Sequence, residues 1–347
     1  MVKSLDVDHP NLSDFRRLPL PSENEIMASW SRSTPVVSIV CTSFNHDRYL
    51  EDAIRGFLIQ RTQFPFEIIV HDDASTDHTQ DIILRYAQNY PKLIRPVIQA
   101  VNQYSQGKWT IFLAVGHAAG EYIAVCEGDD FWWSEDKLQQ QMDAMRQHPE
   151  CNLCFHPAWV LHPDGRLERT AAHTGVAAVI DAEKIIAADG SFCPTASLMM
   201  KRQVFNGLPD WLYGRAPVAD YYLQVLGSLA GGALFLPIDA AVYRSLAAGS
   251  WSASLMQKSK DGIVSHFELT MECLSKLDQF TDHKYSACID KAKSLQAFSI
   301  ALLFLRKKHL KEFTEHMNMS WSFCRSLFLE QCLGLSRKII LRAFSGH

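Results

Sequence analysis

Three short apolar runs each stop at a polar loop and are followed by apolar residues at helical spacing, which restricts the chain to an α/β architecture. Val36-Val37-Ser38-Ile39-Val40-Cys41 leads into Thr42-Ser43-Phe44-Asn45, and Leu50, Ile54, Phe57 and Leu58 then mark one helix face. Phe66-Glu67-Ile68-Ile69-Val70 ends in His71-Asp72-Asp73-Ala74-Ser75-Thr76-Asp77, with Ile82, Ile83 and Tyr86 after it. Tyr122-Ile123-Ala124-Val125-Cys126 ends in Glu127-Gly128-Asp129-Asp130, and Leu138, Met142 and Met145 share a face of the following helix. Strands this apolar belong to a covered, largely parallel sheet, whose ligand crevice lies beyond the carboxyl ends of its strands. Three polar loops are therefore delivered to one rim.

Acids crowded where a buried strand stops are costly unless a cation neutralises them. Glu127 and Asp129 are two residues apart, so in extended geometry their side chains point the same way. An oxygen-only ligand set of this kind suits Mg²⁺ or Mn²⁺, which usually complete their shell with water and substrate phosphates. The alternative is helix capping by Asp130 or Ser134, which needs one short polar residue and does not account for three acids. Neither of the first two loops carries the Gly-rich dinucleotide fingerprint or the P-loop pattern, which argues against NAD binding and the common kinds of ATP hydrolysis. Trp132 and Trp133 after the acidic loop, and Trp251 beside Gly249, offer flat apolar faces suited to pyranose rings. Adjacent residues of a strand face opposite ways, so one of Trp132 and Trp133 is expected in the cleft and the other in the core.

Pro35 to Asn45, the stretch Val70 to Thr79, and Gly120-Glu121-Tyr122-Ile123 running into Glu127-Gly128-Asp129-Asp130-Phe131-Trp132 together resemble family 2 glycosyltransferases of the GT-A fold. Asn102 to Lys108, Asp220-Tyr221-Tyr222, and Tyr243-Arg244 followed by Gly249-Ser250-Trp251-Ser252 resemble the bacterial branch that builds surface polysaccharides. The likeness covers roughly residues 35 to 255, with the motifs in the family's order.

The resemblance implies a Rossmann-like nucleotide-binding half with a mixed central sheet. It places Thr42 and Asn45 in the loop that cradles the nucleotide and makes Asp73 the acid that hydrogen-bonds base or ribose. Lys108 and Arg244 join the donor-binding set, with a structural ion pair as the equal alternative for Arg244, and Trp132 and Trp251 an acceptor or lid set. Asp129 becomes the metal ligand, with Glu127 beside it, and Asp220 the general base. Two positions depart from the pattern: Glu127 stands where the family has Asp, and Leu246 where this branch commonly has His. The implied reaction is inverting transfer of a sugar from a nucleotide-diphosphate donor, UDP-linked by expectation, to a saccharide or lipid-linked saccharide. A nucleotidyltransferase acting on sugar phosphates and a catalytically silent scaffold subunit are the rival readings.

Composition fits this reading. A formal net charge of -4 over 347 residues argues against a general nucleic-acid binder. Nine cysteines and a polar N-terminus without a signal pattern point to reduced thiols and a cytoplasmic enzyme. Cys151 and Cys154 lie three apart with no second Cys pair, an arrangement poor for zinc. Residues 221–238 carry no charge, but Gly227, Gly231, Gly232 and Pro237 divide them into helix, turn and strand, so they read as core.

The expected organisation is a polar lead over 1–34, surface-ordered or disordered, a catalytic domain over 35–255 and a helical region over 256–347. The catalytic domain divides into a nucleotide-sugar half, 35–155, and an acceptor half, 156–255. From Arg306 onward there are eight Lys or Arg against three Glu, interleaved with Trp321, Phe323, Leu327 and Phe328. Such a helix suits an anionic membrane surface, on the cytoplasmic face of the inner membrane, with packing on the catalytic domain or on a second subunit as the alternative.

Overall fold

Residues 10–247 and 251–344 are described by a computed structural model. Two short helices, Leu12–Arg17 (α1) and Glu23–Met27 (α2), precede the first strand–helix units: Val37–Ser43 (β1), Leu50–Leu58 (α3), Phe66–Asp72 (β2), Thr79–Asn89 (α4) and Ile94–Ile98 (β3). Thr110–Val115 (α5), Tyr122–Val125 (β4), the short strand Phe131–Trp132 (β5) and Lys137–Gln147 (α6) follow. The next stretch holds Leu153–Phe155 (β6), Ala158–Leu161 (β7), Leu167–Thr170 (β8), Ala178–Ile180 (β9), Ala182–Ile186 (α7) and Met199–Lys201 (β10). After these come Gln203–Asn206 (α8), Leu212–Arg215 (α9), Asp220–Ser228 (α10), Ala233–Phe235 (β11) and Ala241–Arg244 (β12). Five helices complete the chain: Trp251–Gln257 (α11), Lys260–Phe280 (α12), Ser286–Arg306 (α13), Leu310–Phe323 (α14) and Arg325–Phe344 (α15).

The main sheet has eight strands in the order β3-β2-β1-β4-β10-β6-β11-β9. Its first four strands are mutually parallel, so the loops after β1, β2 and β4 leave by the same edge. β10 runs antiparallel to both β4 and β6, making the sheet mixed and bringing the start of β10 to that edge. A second sheet, β5-β12-β7-β8, stands beside it. Alternation along β1 divides the core: Val37, Ile39 and Cys41 pack with α3 and α6, while Val40 packs with α5, α10, α12 and α13. Leu138, Met142 and Met145 are fully buried on one face of α6, as their spacing requires.

The uncharged stretch 221–238 resolves into α10, a two-glycine turn and β11. Gly231 and Gly232 adopt φ of 76° and 78°, and a Cβ on Gly231 would collide with the Glu150 carbonyl. A turn at His162–Arg166 joins β7 to β8, with Gly165 at φ 84° and the His162 amide donating to the Arg166 carbonyl at 2.9 Å.

Residues 10–34 of the polar lead are docked rather than loose. Phe15 packs on Phe131 at 5.1 Å between ring centres, and Tyr90 donates its hydroxyl to the Pro21 carbonyl at 3.0 Å. A capping box between Ser22 and Glu25 starts α2. In the C-terminal region Ile263, Phe267, Ala297, Ile300 and Phe304 form a separate small core. Among the described residues, no helix is long and apolar enough to cross a membrane.

Candidate active site

The loops after β1 and β2 are laced together before they meet the acidic turn. Asn45, in the left-handed region at φ 55°, accepts the Thr76 amide on Oδ1 at 2.8 Å and donates its own amide to Ser75 Oγ at 2.8 Å. Asn tolerates this conformation; Ala74, at φ 61°, does so at a steric cost of about 1–2 kcal/mol. Asp77 accepts the Thr79 amide at the start of α4 at 2.9 Å and also the Asp47 amide at 3.1 Å. Thr42 is half-buried at the end of β1, and its carbonyl accepts the Gly128 amide at 2.9 Å, which seats the acidic turn on β1.

Glu127 to Asp130 form a tight turn, closed by the Asp130 amide on the Glu127 carbonyl at 3.1 Å. The extended geometry expected for Glu127 and Asp129 is absent, yet the turn brings one carboxylate oxygen of each of Glu127, Asp129 and Asp130 within 4.8 Å of one another. Asp130 and Ser134 are not caps: α6 begins only at Lys137, preceded by Asp136. Gly128 is required by space, since a Cβ there would sit 2.9 Å from His46 Nδ1 and 3.1 Å from Ser43 Cβ. An oxygen-only cluster of this kind, from Glu127, Asp129 and Asp130, has the donor chemistry that a hard divalent cation takes.

The cluster is electrostatically frustrated without a counter-charge. Glu127 is pushed up to about 8, first by desolvation, then by the charges of Asp129 and Asp220. Its side chain reaches solvent, so a crowded recess rather than a dry core supplies the desolvation, and the carboxylates are the part a cation reverses. Burial, then Asp129 and Glu127, also lifts Asp130 well above the ordinary carboxylate range.

Asp220 opens α10 at the same rim, half-buried beneath the 189–191 loop. Its Oδ1 accepts the Tyr221 amide at 2.8 Å and its Oδ2 the Thr195 hydroxyl at 3.3 Å. Burial raises its pKa, while these two hydrogen bonds oppose the rise. It comes from a part of the chain distant from the acidic turn, yet lies near enough for its charge to act on Glu127.

Asp73 is buried, and its two oxygens accept the Gln103 amide at 2.7 Å and the Tyr104 amide at 3.0 Å. It therefore suspends the 102–108 loop from the end of β2. Lys108 is exposed and donates to Gln103 Oε1 at 3.0 Å, bracing the same loop.

Two sequence assignments are corrected. Trp132 is fully buried, edge-on to Phe57 at 4.9 Å, with Nε1 donating to the Ala196 carbonyl at 2.7 Å. It is core and faces no acceptor; Trp133 packs beside Phe15, Phe131 and Val242. Arg244 is buried and paired with Asp52, its Nη1 donating to the Asp129 carbonyl at 2.7 Å, so it supports the acidic turn instead of presenting a free guanidinium to a donor phosphate. Leu246 lies in the left-handed region at φ 56°, 51% exposed. Gly249 and Ser250 of the expected lid, and the Trp251 side chain, lie outside what is described.

Sequence reasoning missed His46, Asp52 and Thr195. His46 is buried with Nε2 4.0 Å from Asp129 Oδ2, and its place one residue after Asn45, in a loop already assigned to the rim, was the available signal. Asp52 and Thr195 meet the site only through contacts distant in sequence, which leave no local pattern.

Residues 38–206 match the model of Glycosyl transferase family 2. Uncharacterized protein Rv1520 of Mycobacterium tuberculosis is 36% identical over 225 residues, 65% of this chain and 63% of that protein. The chain thus aligns with somewhat less than two thirds of that relative's length. The Escherichia coli UDP-Glc:alpha-D-GlcNAc-diphosphoundecaprenol beta-1,3-glucosyltransferase WfgD is 31% identical over 121 residues, 35% of this chain and 44% of that one. Among solved structures, the mannosyltransferase PcManGT from Pyrobaculum calidifontis, in complex with GDP-Man and Mn²⁺, superposes with a TM-score of 0.52 at 14% identity. That match covers 93% of this chain and 86% of PcManGT, a likeness of GT-A fold. The mixed sheet, the acidic turn at its carboxyl edge and the match over 38–206 together make the chain similar to family 2 of the glycosyltransferases.

Proposed function

We propose that the protein is an inverting glycosyltransferase that moves a sugar from a nucleotide-diphosphate donor, UDP-linked in the first instance, to a hydroxyl of a saccharide or lipid-linked saccharide in bacterial surface-polysaccharide synthesis. The observation that carries this reading is the convergence of Glu127, Asp129 and Asp130 at the sheet's carboxyl edge, with Asp220 within electrostatic range of them.

Thr42, Asn45 and Asp73, at the ends of β1 and β2, border the space for the nucleotide, and the loop hung on Asp73 closes one side of it. Glu127 and Asp129 would hold Mg²⁺ or Mn²⁺, which when bound neutralises charge as it builds on the departing diphosphate, an interaction that lowers the barrier. Asp220 takes the proton from the attacking acceptor hydroxyl, and its raised pKa makes it a better base than an ordinary carboxylate. Attack in one step on the face opposite the diphosphate inverts the anomeric carbon. WfgD, which is named for a UDP donor, a diphosphoundecaprenol acceptor and a beta linkage, supports the donor and acceptor classes. The basic, apolar C-terminal face supports placement on the cytoplasmic side of a membrane, with pairing of two chains through these helices as the other use of that face.

The test is turnover of nucleotide sugars with Mn²⁺ and a polyprenyl-diphosphate saccharide. Release of UDP is expected. Pyrophosphate release from a nucleoside triphosphate and a sugar 1-phosphate, assayed in parallel, would indicate a nucleotidyltransferase, and absence of both products with UDP-, dTDP- and GDP-linked donors would indicate a scaffold. Asp129→Asn is expected to abolish the Mn²⁺ dependence of donor binding, measured by calorimetry, while circular dichroism remains unchanged. Undiminished Mn²⁺-dependent affinity would remove Asp129 from the site.

A further inference from the structure

Behind the acidic turn, a chain of charges links it to the N-terminal helix. Asp52 on α3 is 3% exposed and receives a two-pronged pair from Arg16 of α1, Nε to Oδ1 at 2.8 Å and Nη2 to Oδ2 at 2.7 Å. The same Oδ2 accepts from Arg244 Nη2. Arg244 then grips the turn twice, through Nη1 on the Asp129 carbonyl at 2.7 Å and its own amide on Asp130 Oδ1 at 2.9 Å. Its guanidinium lies over the rings of Phe131, at 4.6 Å, and Tyr49, at 5.3 Å. Arg55 donates to the Arg16 carbonyl at 2.8 Å, which fixes the end of α1 on α3.

We propose that Arg16, Asp52 and Arg244 form a positioning relay that holds the Glu127–Asp130 turn in its cation-ready shape, making the N-terminal helix part of the catalytic apparatus. The proposal rests on the reading of that turn as the cation site. The physical argument is one of pairing. A buried guanidinium needs its counter-charge in one place, and Asp52 is itself buried among α3 side chains, where rotation would strand either its own charge or that of Arg244. Arg16 holds both Asp52 oxygens and so fixes the plane of the carboxylate. Arg244, fixed in turn, sets the carbonyl direction at Asp129 and occupies one oxygen of Asp130, which orients the carboxylates that converge at the rim. Their contacts run to one another and to the turn, so the three act through the turn. Groups that hold ligands from behind typically matter to metal affinity by about 10–100-fold.

Arg16 is the right residue to vary, because its side chain is 50% exposed and its loss leaves the Asp52–Arg244 pair intact for folding. Arg16→Ala, Arg16→Lys and Asp52→Asn are compared with the wild-type chain in two measurements. Hydrogen exchange of the metal-free protein is expected to show faster exchange in peptides covering 126–131 for Arg16→Ala, with peptides over 94–98 unchanged. Titration of Mn²⁺ followed by its electron paramagnetic resonance signal is expected to show affinity reduced about 10-fold or more in Asp52→Asn and less in Arg16→Ala. Arg16→Lys should fall between, since it keeps the charge but loses the fork. A melting-temperature loss with wild-type exchange at 126–131 and wild-type Mn²⁺ affinity in Arg16→Ala would overturn the relay, leaving only a structural ion pair. If the wild-type chain binds no Mn²⁺ while Arg16→Ala still loosens 126–131, the cation reading fails and the relay stands as the device that orders the turn.

Discussion

Asp220 is the residue at which the chemical role and the local structural role separate most cleanly. Its Oδ1 accepts the Tyr221 amide and its Oδ2 the Thr195 hydroxyl, and an Asn at 220 can keep one of these acceptors while losing the ability to take a proton. Asp220→Asn is therefore expected to preserve donor and Mn²⁺ affinity and slow transfer by about 10²- to 10⁴-fold. Near-normal transfer would remove the base assignment, and a product retaining the donor's anomeric configuration would remove the one-step mechanism. Glu127 gives a second expectation at this scale. Its pKa is raised in the folded chain, up to about 8 against an ordinary 4.5, so between those values the folded state holds a proton that the unfolded state has released. Stability from this residue is then present below about pH 4.5 and is lost as pH rises toward about 8 in the absence of metal. Melting curves in chelator should fall across that window, and Glu127→Gln or added Mn²⁺ should flatten the fall. A slope identical in wild type and Glu127→Gln would show that Glu127 is not the titrating group. The role of Glu127 as a cluster member was legible in the sequence because its neighbours are adjacent; the fate of Arg244 was not, because Asp52 lies 192 residues away.

At the scale of elements, the strand–loop–helix repeats were readable because period and composition agree along β1, β2 and β4, whose strands are apolar on both faces. The Gly-Gly break after α10 was equally plain, since φ near 76° at Gly231 excludes most other residues. Less visible were β5 and β12, which are two and four residues long and are defined by pairing with each other across the chain. That pairing is what buries Trp132: with Ala241 opposite it and Phe57 against its ring, its indole enters the core and Trp133 takes the other face. Alternation alone said that one of the two faces inward, but could not say which. The acidic turn illustrates the same gap, because extended geometry and a tight turn both bring carboxylates together, and only the second requires a small residue at 128. Gly128→Ala is expected to cost about 1–3 kcal/mol, from overpacking against His46 and Ser43, and to weaken Mn²⁺ binding along with stability. Chemical denaturation with Mn²⁺ titration at low denaturant reads both; a variant with wild-type stability and affinity would mean that the turn has room the geometry denies.

For the molecule as a whole, the lead over 10–34 and the helices after residue 251 show how much depends on contacts that sequence patterns do not reveal. The lead has no sustained period, yet Phe15, Arg16 and Trp30 dock it on the catalytic domain through partners more than thirty residues away. The C-terminal helices do have a period, and it points two ways. Inward, Phe304, Phe313 and His316 close a small core against Ile263 and Phe267. Outward, Leu310 is 65% exposed, Trp321 40%, Leu329 50% and Leu333 62%, in a region that carries eight Lys or Arg against three Glu. Exposed apolar residues set among basic ones are costly in water and suit an anionic membrane surface, where burial and charge attraction add. Removing the whole tail would also strip the inner core, so the sharper test keeps the fold and reverses the surface. Trp321→Glu combined with Leu329→Glu should abolish flotation with vesicles rich in anionic lipid at low salt, while leaving the melting temperature and UDP release unchanged. Wild-type binding should weaken as salt rises, because part of the attraction is screened charge. A wild-type chain that stays wholly unbound to such vesicles would exclude membrane docking by this face, and a dimer that dissociates on the same two substitutions would assign the exposed residues to a second copy of the chain.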